Sequence, residues 1–129
     1  MAVTIARSNP ETVRQPIGYT HAIEIRNAER RLVISGQIGM ALDGTVPDTG
    51  GGQIDQALAN LRAVLEANAM TVTNIVKTTV FLTDRGLIGA WRAARSALLG
   101  DHAPASTLLI VAGLADPRFV VEIEAEAVA

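Results

Sequence analysis

The chain has 129 residues, enough for one domain over residues 1–129 and too few for two comfortable ones. It has no cysteine, which excludes disulfides, thiolate metal sites and a cysteine nucleophile. A net charge of −2 excludes a general attraction to nucleic acid, and 49% hydrophobic against 3% aromatic residues demand a core of Val, Ile, Leu and Ala.

Met1 to Asn9 lacks the long apolar stretch of a signal peptide, and the longest apolar run, Leu108 to Ala112, is too short to cross a membrane. A soluble, cytoplasmic protein is expected. Val3 to Ala6 reads as an edge strand, and Asn9-Pro10-Glu11-Thr12 as a turn. Gly18-Tyr19 opens a strand over Thr20 to Ile25. Asn27-Ala28-Glu29 reads as a hairpin connection, with Arg31 to Ser35 returning as its second strand.

Met40 to Gly52 is polar and glycine-rich. Gly50-Gly51-Gly52 lacks the Lys-Ser/Thr of a P-loop and reads as a flexible connector. Ile54, Ala57, Leu58, Leu61, Val64 and Leu65 recur at the spacing of one helix face, so a helix is expected from about Gln53 to Ala67. Asn68, near its end, is a residue that tolerates left-handed geometry. Asn74 to Asp84 is the best strand of the sequence, rich in β-branched residues and free of Gly and Pro. Thr83-Asp84 then caps a second helix with Leu87, Ile88, Trp91, Ala94, Leu98 and Leu99 on its apolar stripe.

Ala105 to Val111 and Phe119 to Val128 complete the strands. Leu108-Leu109-Ile110-Val111 does not alternate, so both faces of that strand should be covered, one by helices and one by another subunit. Glu122, Glu124 and Glu126 share one face of the last strand, while Val121, Ile123, Ala125 and Ala127 face the core. The row is either a solvated face balanced by cations or a cleft wall in which one carboxylate acts as a general base. His21 and His102 have no metal-ligand spacing. Tyr19 is either a core ring with a wet hydroxyl or a pocket wall. Ser35 and Ser106 have no His or Asp partner for a hydrolytic triad.

Gly18-Tyr19-Thr20-His21-Ala22, Ser35-Gly36-Gln37-Ile38, Gln53, Asn60-Leu61, Val76 to Asp84, Pro104-Ala105 and Glu122-Ile123-Glu124-Ala125 follow one another in an order that resembles the RidA/YjgF family of reactive-intermediate deaminases. The resemblance spans nearly the whole chain and is specific in combination. It implies an α+β fold of the chorismate-mutase-like type. A mixed, mostly antiparallel sheet of about six strands carries two helices on one face. Three copies form a homotrimer with small-molecule clefts between neighbours.

Active members hydrolyse imines and enamines, such as 2-aminoacrylate, to 2-keto acids and ammonia, without cofactor or metal. The resemblance carries a catalytic role to Glu122, which organises the attacking water, and a pocket role to Tyr19. Ser35 and Gly36 match a strand end near the cleft. Ser106 and Thr107 stand at the substrate-binding strand start. There the family's Pro-Ala-Arg-Ser has become Pro104-Ala105-Ser106-Thr107, so the arginine that clamps the substrate carboxylate is missing.

A hydroxyl cannot give the bidentate, charged contact of guanidinium, a loss on the order of 2–5 kcal/mol in a desolvated site. Weak 2-aminoacrylate activity is therefore expected. Leu108 and Ile110, on the same face as Ser106, should make the cleft more apolar. Arg92, at the border of the second helix's buried stripe, is either a replacement clamp on the opposite wall or, as is commoner for a lone helix arginine, a member of a surface ion pair worth little. The alternative within the same family is a non-catalytic ligand-binding or interaction trimer. The ribonuclease and translation-inhibition labels of the family fit poorly with the acidic balance, and neither nucleic acid nor membrane is expected as a partner.

Overall fold

The computed structural model describes all of residues 1–129, in the order β1 (Thr4–Ser8), β2 (Ala22–Arg26), β3 (Arg31–Ile38), α1 (Gly50–Ala67), β4 (Ile75–Leu82), α2 (Ile88–Leu99), β5 (Ala105–Ile110) and β6 (Val121–Val128). The chain is α+β, with six strands and two helices. The main sheet has the order β3-β6-β4-β5. β6 runs antiparallel to both β3 and β4, and β4 runs parallel to β5 across the α2 crossover. The remaining two strands form an antiparallel ribbon, β1 with β2. It is tied to the main sheet by one bridge, Thr20 to Ala105.

The alternation of β4 and β6 decides which face is covered. Val76, Thr78, Val80 and Leu82 are buried on one face of β4, with Val121, Ile123, Ala125 and Ala127 beside them on β6. Both helices pack on this face. Ile54, Ala57, Leu58, Leu61 and Leu65 of α1 and Trp91 of α2 complete the core, and Leu108 and Ile110 of β5 pack against it.

Three local expectations are corrected. Asn27-Ala28-Glu29 does not make a hairpin: although Asn27 adopts φ 59°, β2 pairs only with β1 and β3 pairs with β6. Strand β3 offers Leu32 and Ile34 to the core opposite Ala127 and Ala125, burial that a two-stranded ribbon could not supply. Second, Gly50-Gly51-Gly52 is the first turn of α1 rather than a connector. Thr49 caps it by accepting from the Gly52 N–H at 3.0 Å. Gln53 then anchors the turn from a buried site, donating to the carbonyls of Pro47 and Arg118 and accepting from the Val120 N–H.

Third, the left-handed residue after α1 is Ala69, at φ 55°, and not Asn68. The Asn68 amide instead donates to the Val64 carbonyl. The Met70 N–H closes back onto the Leu65 carbonyl, and Met70 itself is buried. Burying that side chain offsets the roughly 1 kcal/mol cost of a left-handed alanine.

Candidate functional site

The open face of the main sheet carries Glu122, Glu124 and Glu126 of β6. Beside them in register lie Phe81, Thr79 and Lys77 of β4. Only Glu126 has a cation, Arg31, at 3.0 Å. Lys77 turns the other way and donates to the Thr107 hydroxyl at 2.8 Å. Thr107 is thus a residue of the open face, on β5. Neither Glu122 nor Glu124 makes an ion pair or a side-chain hydrogen bond.

Glu122 has a place made for it in β3. The register of β3 against β6 slips between Ile34 and Gln37, so Ser35 and Gly36 bulge past one residue of the partner strand. A Cβ on Gly36 would overlap the Glu122 carboxyl group. Glycine at 36 therefore lets an unpaired carboxylate lie over backbone at the strand end. Ser35, Gly36 and Glu122 are brought together.

Tyr19 and Ser106 lie elsewhere. Ser106 is on the helix-covered face of β5, where it accepts a hydrogen bond from the Thr78 hydroxyl at 2.8 Å. It lines a narrow apolar cavity with Ile75, Trp91, Leu98, Leu99 and Pro104. Leu108 and Ile110 continue into the core and so do not line an open cleft; the alternation of β5 turns them under the helices. Leu109 is the residue on the outer face, 44% exposed.

Tyr19 precedes the bridge to Ala105 and is fixed by its neighbour Thr20, whose N–H donates to the Pro104 carbonyl and whose hydroxyl donates to the Ala103 carbonyl. Its ring meets His21 edge to face, with centroids 5.5 Å apart. It opens onto a polar cleft of about 340 Å³ between the ribbon, the end of α2 and the loop around His102. Glu122 lies four residues along β6 from Glu126, which is level with Lys77 and Ala105, so about 13 Å of strand separates the two regions in one protomer.

The candidate clamp Arg92 is exposed on α2 and lines neither cavity. The inward arginine is Arg95, four residues after the buried Trp91 and hence on the same helix face. Its guanidinium lies against Gly18, where a Cβ would overlap it, and Gly18 holds φ 78°. Burial, with the neighbouring Arg92 charge, pushes the Arg95 pKa below the ordinary arginine value. The signal for Arg95 was its i+4 spacing from Trp91 within the apolar stripe. No group of three or more His, Cys, Asp or Glu side chains is placed to hold a metal ion.

The sequence model of the family described as endoribonuclease L-PSP matches residues 11–129. The 2-iminobutanoate/2-iminopropanoate deaminase of Escherichia coli is 35% identical over 133 aligned residues, covering 99% of this chain and 98% of that one. Among solved structures, a Yersinia pestis protein of unknown function from the conserved Rid family, YyfB, superposes with a TM-score of 0.87 at 28% identity, covering 97% of this chain and 98% of that one. The Escherichia coli YjgF gene product does so with a TM-score of 0.71 at 34% identity over 90% of each chain. With the two-helix, mixed-sheet architecture and nearly full-length matches agreeing, this chain belongs to the RidA/YjgF family, also described as endoribonuclease L-PSP.

Proposed function

We propose that this protein hydrolyses small imines or enamines to a ketone or keto acid and ammonia, as a cytoplasmic homotrimer, without cofactor. The observation that carries the reading is the Glu122 carboxylate, unpaired and laid over Gly36 in the β3 bulge. A carboxylate in that setting can accept a proton from water. The water oxygen adds to the carbon of C=N, and its proton passes through Glu122 to the nitrogen. The carbinolamine hydroxyl then gives up its proton, which passes to the nitrogen, again through Glu122; the C–N bond breaks, the carbonyl forms and ammonia leaves. Membership alongside an imine deaminase 35% identical to this chain supports the same chemistry.

Because Glu122 and Tyr19 lie apart in one protomer, a ligand touched by both must sit between two. The exposed Val33 and Leu109 on the open face give a neighbour an apolar surface to cover. Ser35, Gly36 and Glu122 then form one wall and Tyr19 of the adjacent copy the other. Thr107, on the open face, sits within that contact rather than beside Tyr19.

Ammonia release from freshly generated 2-iminobutanoate and a panel of less acidic imines tests the reading. Turnover is expected in the wild type, and Glu122→Gln should lower it about 100-fold with the melting temperature unchanged. A closed ring of three heterologous contacts makes a further demand: an equal mixture of Glu122→Gln and Tyr19→Phe subunits, refolded together, should recover about a quarter of the wild-type interfaces. No ammonia above the uncatalysed rate from any imine would overturn the enzyme reading. The non-catalytic trimer would then remain, and the replacement of the family's arginine by Ser106 already favours that second reading on one count.

A further inference from the structure

The polar cleft beside Tyr19 contains two arginines, Arg7 and Arg95, and one carboxylate, Asp101. Arg7 is committed, since its guanidinium donates to the Asp101 carbonyl at 3.1 Å. Arg95 is not. It makes no ion pair and no hydrogen bond, although its side chain is drawn inward beside Trp91 and its charge is partly desolvated. A guanidinium held in this way, with its donors unused and open to a cleft, is poised for a planar anion.

Its place in the fold is also informative. Arg95 lines both the polar cleft and the narrow cavity that contains Ser106. A long side chain at position 106, on β5, would therefore enter the narrow cavity whose lining Arg95 of α2 shares with the polar cleft. Gly18 keeps that volume open, because any side chain there would displace the guanidinium. The cleft, at about 340 Å³, is of a size for a ligand of a few heavy atoms.

We propose that Arg95 is the residue that binds the ligand's carboxylate in this protein, taking from α2 the task that position 106 of β5 no longer performs, so that the preferred ligands are small 2-keto or 2-imino acids. Arg92, on the outer face of the same helix, has no part in it. The assignment deepens the imine-hydrolysis reading and rests on it for the identity of the anion, but the cleft and the cation stand without the reaction.

Titration calorimetry with 2-ketobutyrate, and with uncharged 2-butanone as the control, tests the assignment on the intact protein. Wild type should bind the keto acid and not the ketone. Arg95→Gln should weaken keto acid binding about tenfold or more, and Arg92→Gln less than about twofold. Should Arg95→Gln melt early, Arg95→Lys decides the matter. It keeps the stem and the charge while losing the fork, so a loss of about threefold or more supports the assignment.

Equal keto acid affinity in wild type and the Arg95 variants overturns the proposal, as does no keto acid binding by the wild type at millimolar concentration. Ammonia release from the same proteins separates this inference from the reaction. Turnover whose KM ignores Arg95→Gln would remove the clamp and spare the chemistry. Keto acid binding lost in Arg95→Gln, with no turnover in wild type, would remove the chemistry and spare the clamp.

Discussion

The two faces of the main sheet are made by the same strands and meet different ends. On the helix side, β6 presents Val121, Ile123, Ala125 and Ala127, at most 3% exposed. On the other side, the alternate residues are Glu122, Glu124 and Glu126, next to Lys77, Thr79 and Phe81 of β4. If the second face were only solvated, its apolar positions should be few. Yet Val33 is 65% and Leu109 44% exposed there, one on each edge strand. A face with charged residues along the middle strand and apolar ones at both edges fits a subunit contact better than open water, since its edges can dock while its carboxylates stay at a cleft.

The covered face should be the less tolerant of change. Ile123 is fully buried between α1, β3 and β4. Ile123→Ala should cost about 2–5 kcal/mol in the folded state, through lost burial and the cavity left behind. Denaturant unfolding checks this, and a midpoint within error of wild type would show that the core is not where the alternation puts it.

On the open face the same kind of test should move assembly rather than folding. Val33→Glu places a charge beside Glu126, opposite it in register. Light scattering should then shift from trimer to monomer mass at micromolar concentration, with the far-ultraviolet dichroism retained. A wild type that is already monomeric would remove the contact, and with it the two-protomer site.

How much of this was legible in the sequence follows from which signals are local. The period-2 pattern of Val76 to Leu82 and of Val121 to Ala127 fixed both strands and their buried faces, because alternation is a property of the strand itself. The helix stripes were equally plain. Pairing was not: nothing within Arg26 to Arg31 says that β3 prefers the distant β6 to its neighbour β2, since that choice depends on the apolar area each partner offers. The triple glycine misled because glycine lowers helix propensity, while the Thr49 cap and the Gln53 anchor override it through contacts far along the chain.

The grouping of some residues was legible and that of others was not. Glu122, Ser35 and Gly36 came from the family pattern and are adjacent in space. The stripe border points to Arg92, whereas Arg95, three residues on, shares a helix face with the buried Trp91. A long cation on an apolar stripe reads as a poor core residue in sequence. Only the glycine at position 18 shows why it is tolerated there.

The smallest of the expected effects concerns the hydroxyl pair of Thr78 and Ser106. Thr78, buried in β4, donates to Ser106 on β5 at 2.8 Å. Ser106→Ala leaves the Thr78 hydroxyl without its acceptor on the covered face, a desolvation penalty of about 1–3 kcal/mol. Thr78→Val removes the donor at nearly constant shape. The Ser106 hydroxyl, half-buried at the cavity edge, then still has access to water, so the loss should be smaller, about 0.5–1.5 kcal/mol. In the double variant both hydroxyls are gone and two apolar groups meet, so its cost should fall below the sum of the singles by about 1 kcal/mol. Chemical denaturation of the four proteins closes this cycle. Additive costs would mean that the two hydroxyls do not interact, and that position 106 points away from the narrow cavity it shares with Arg95. A clear coupling would place Ser106 under the helices. From there it shapes the narrow cavity that Arg95 also lines, and a hydroxyl there cannot itself hold a charge.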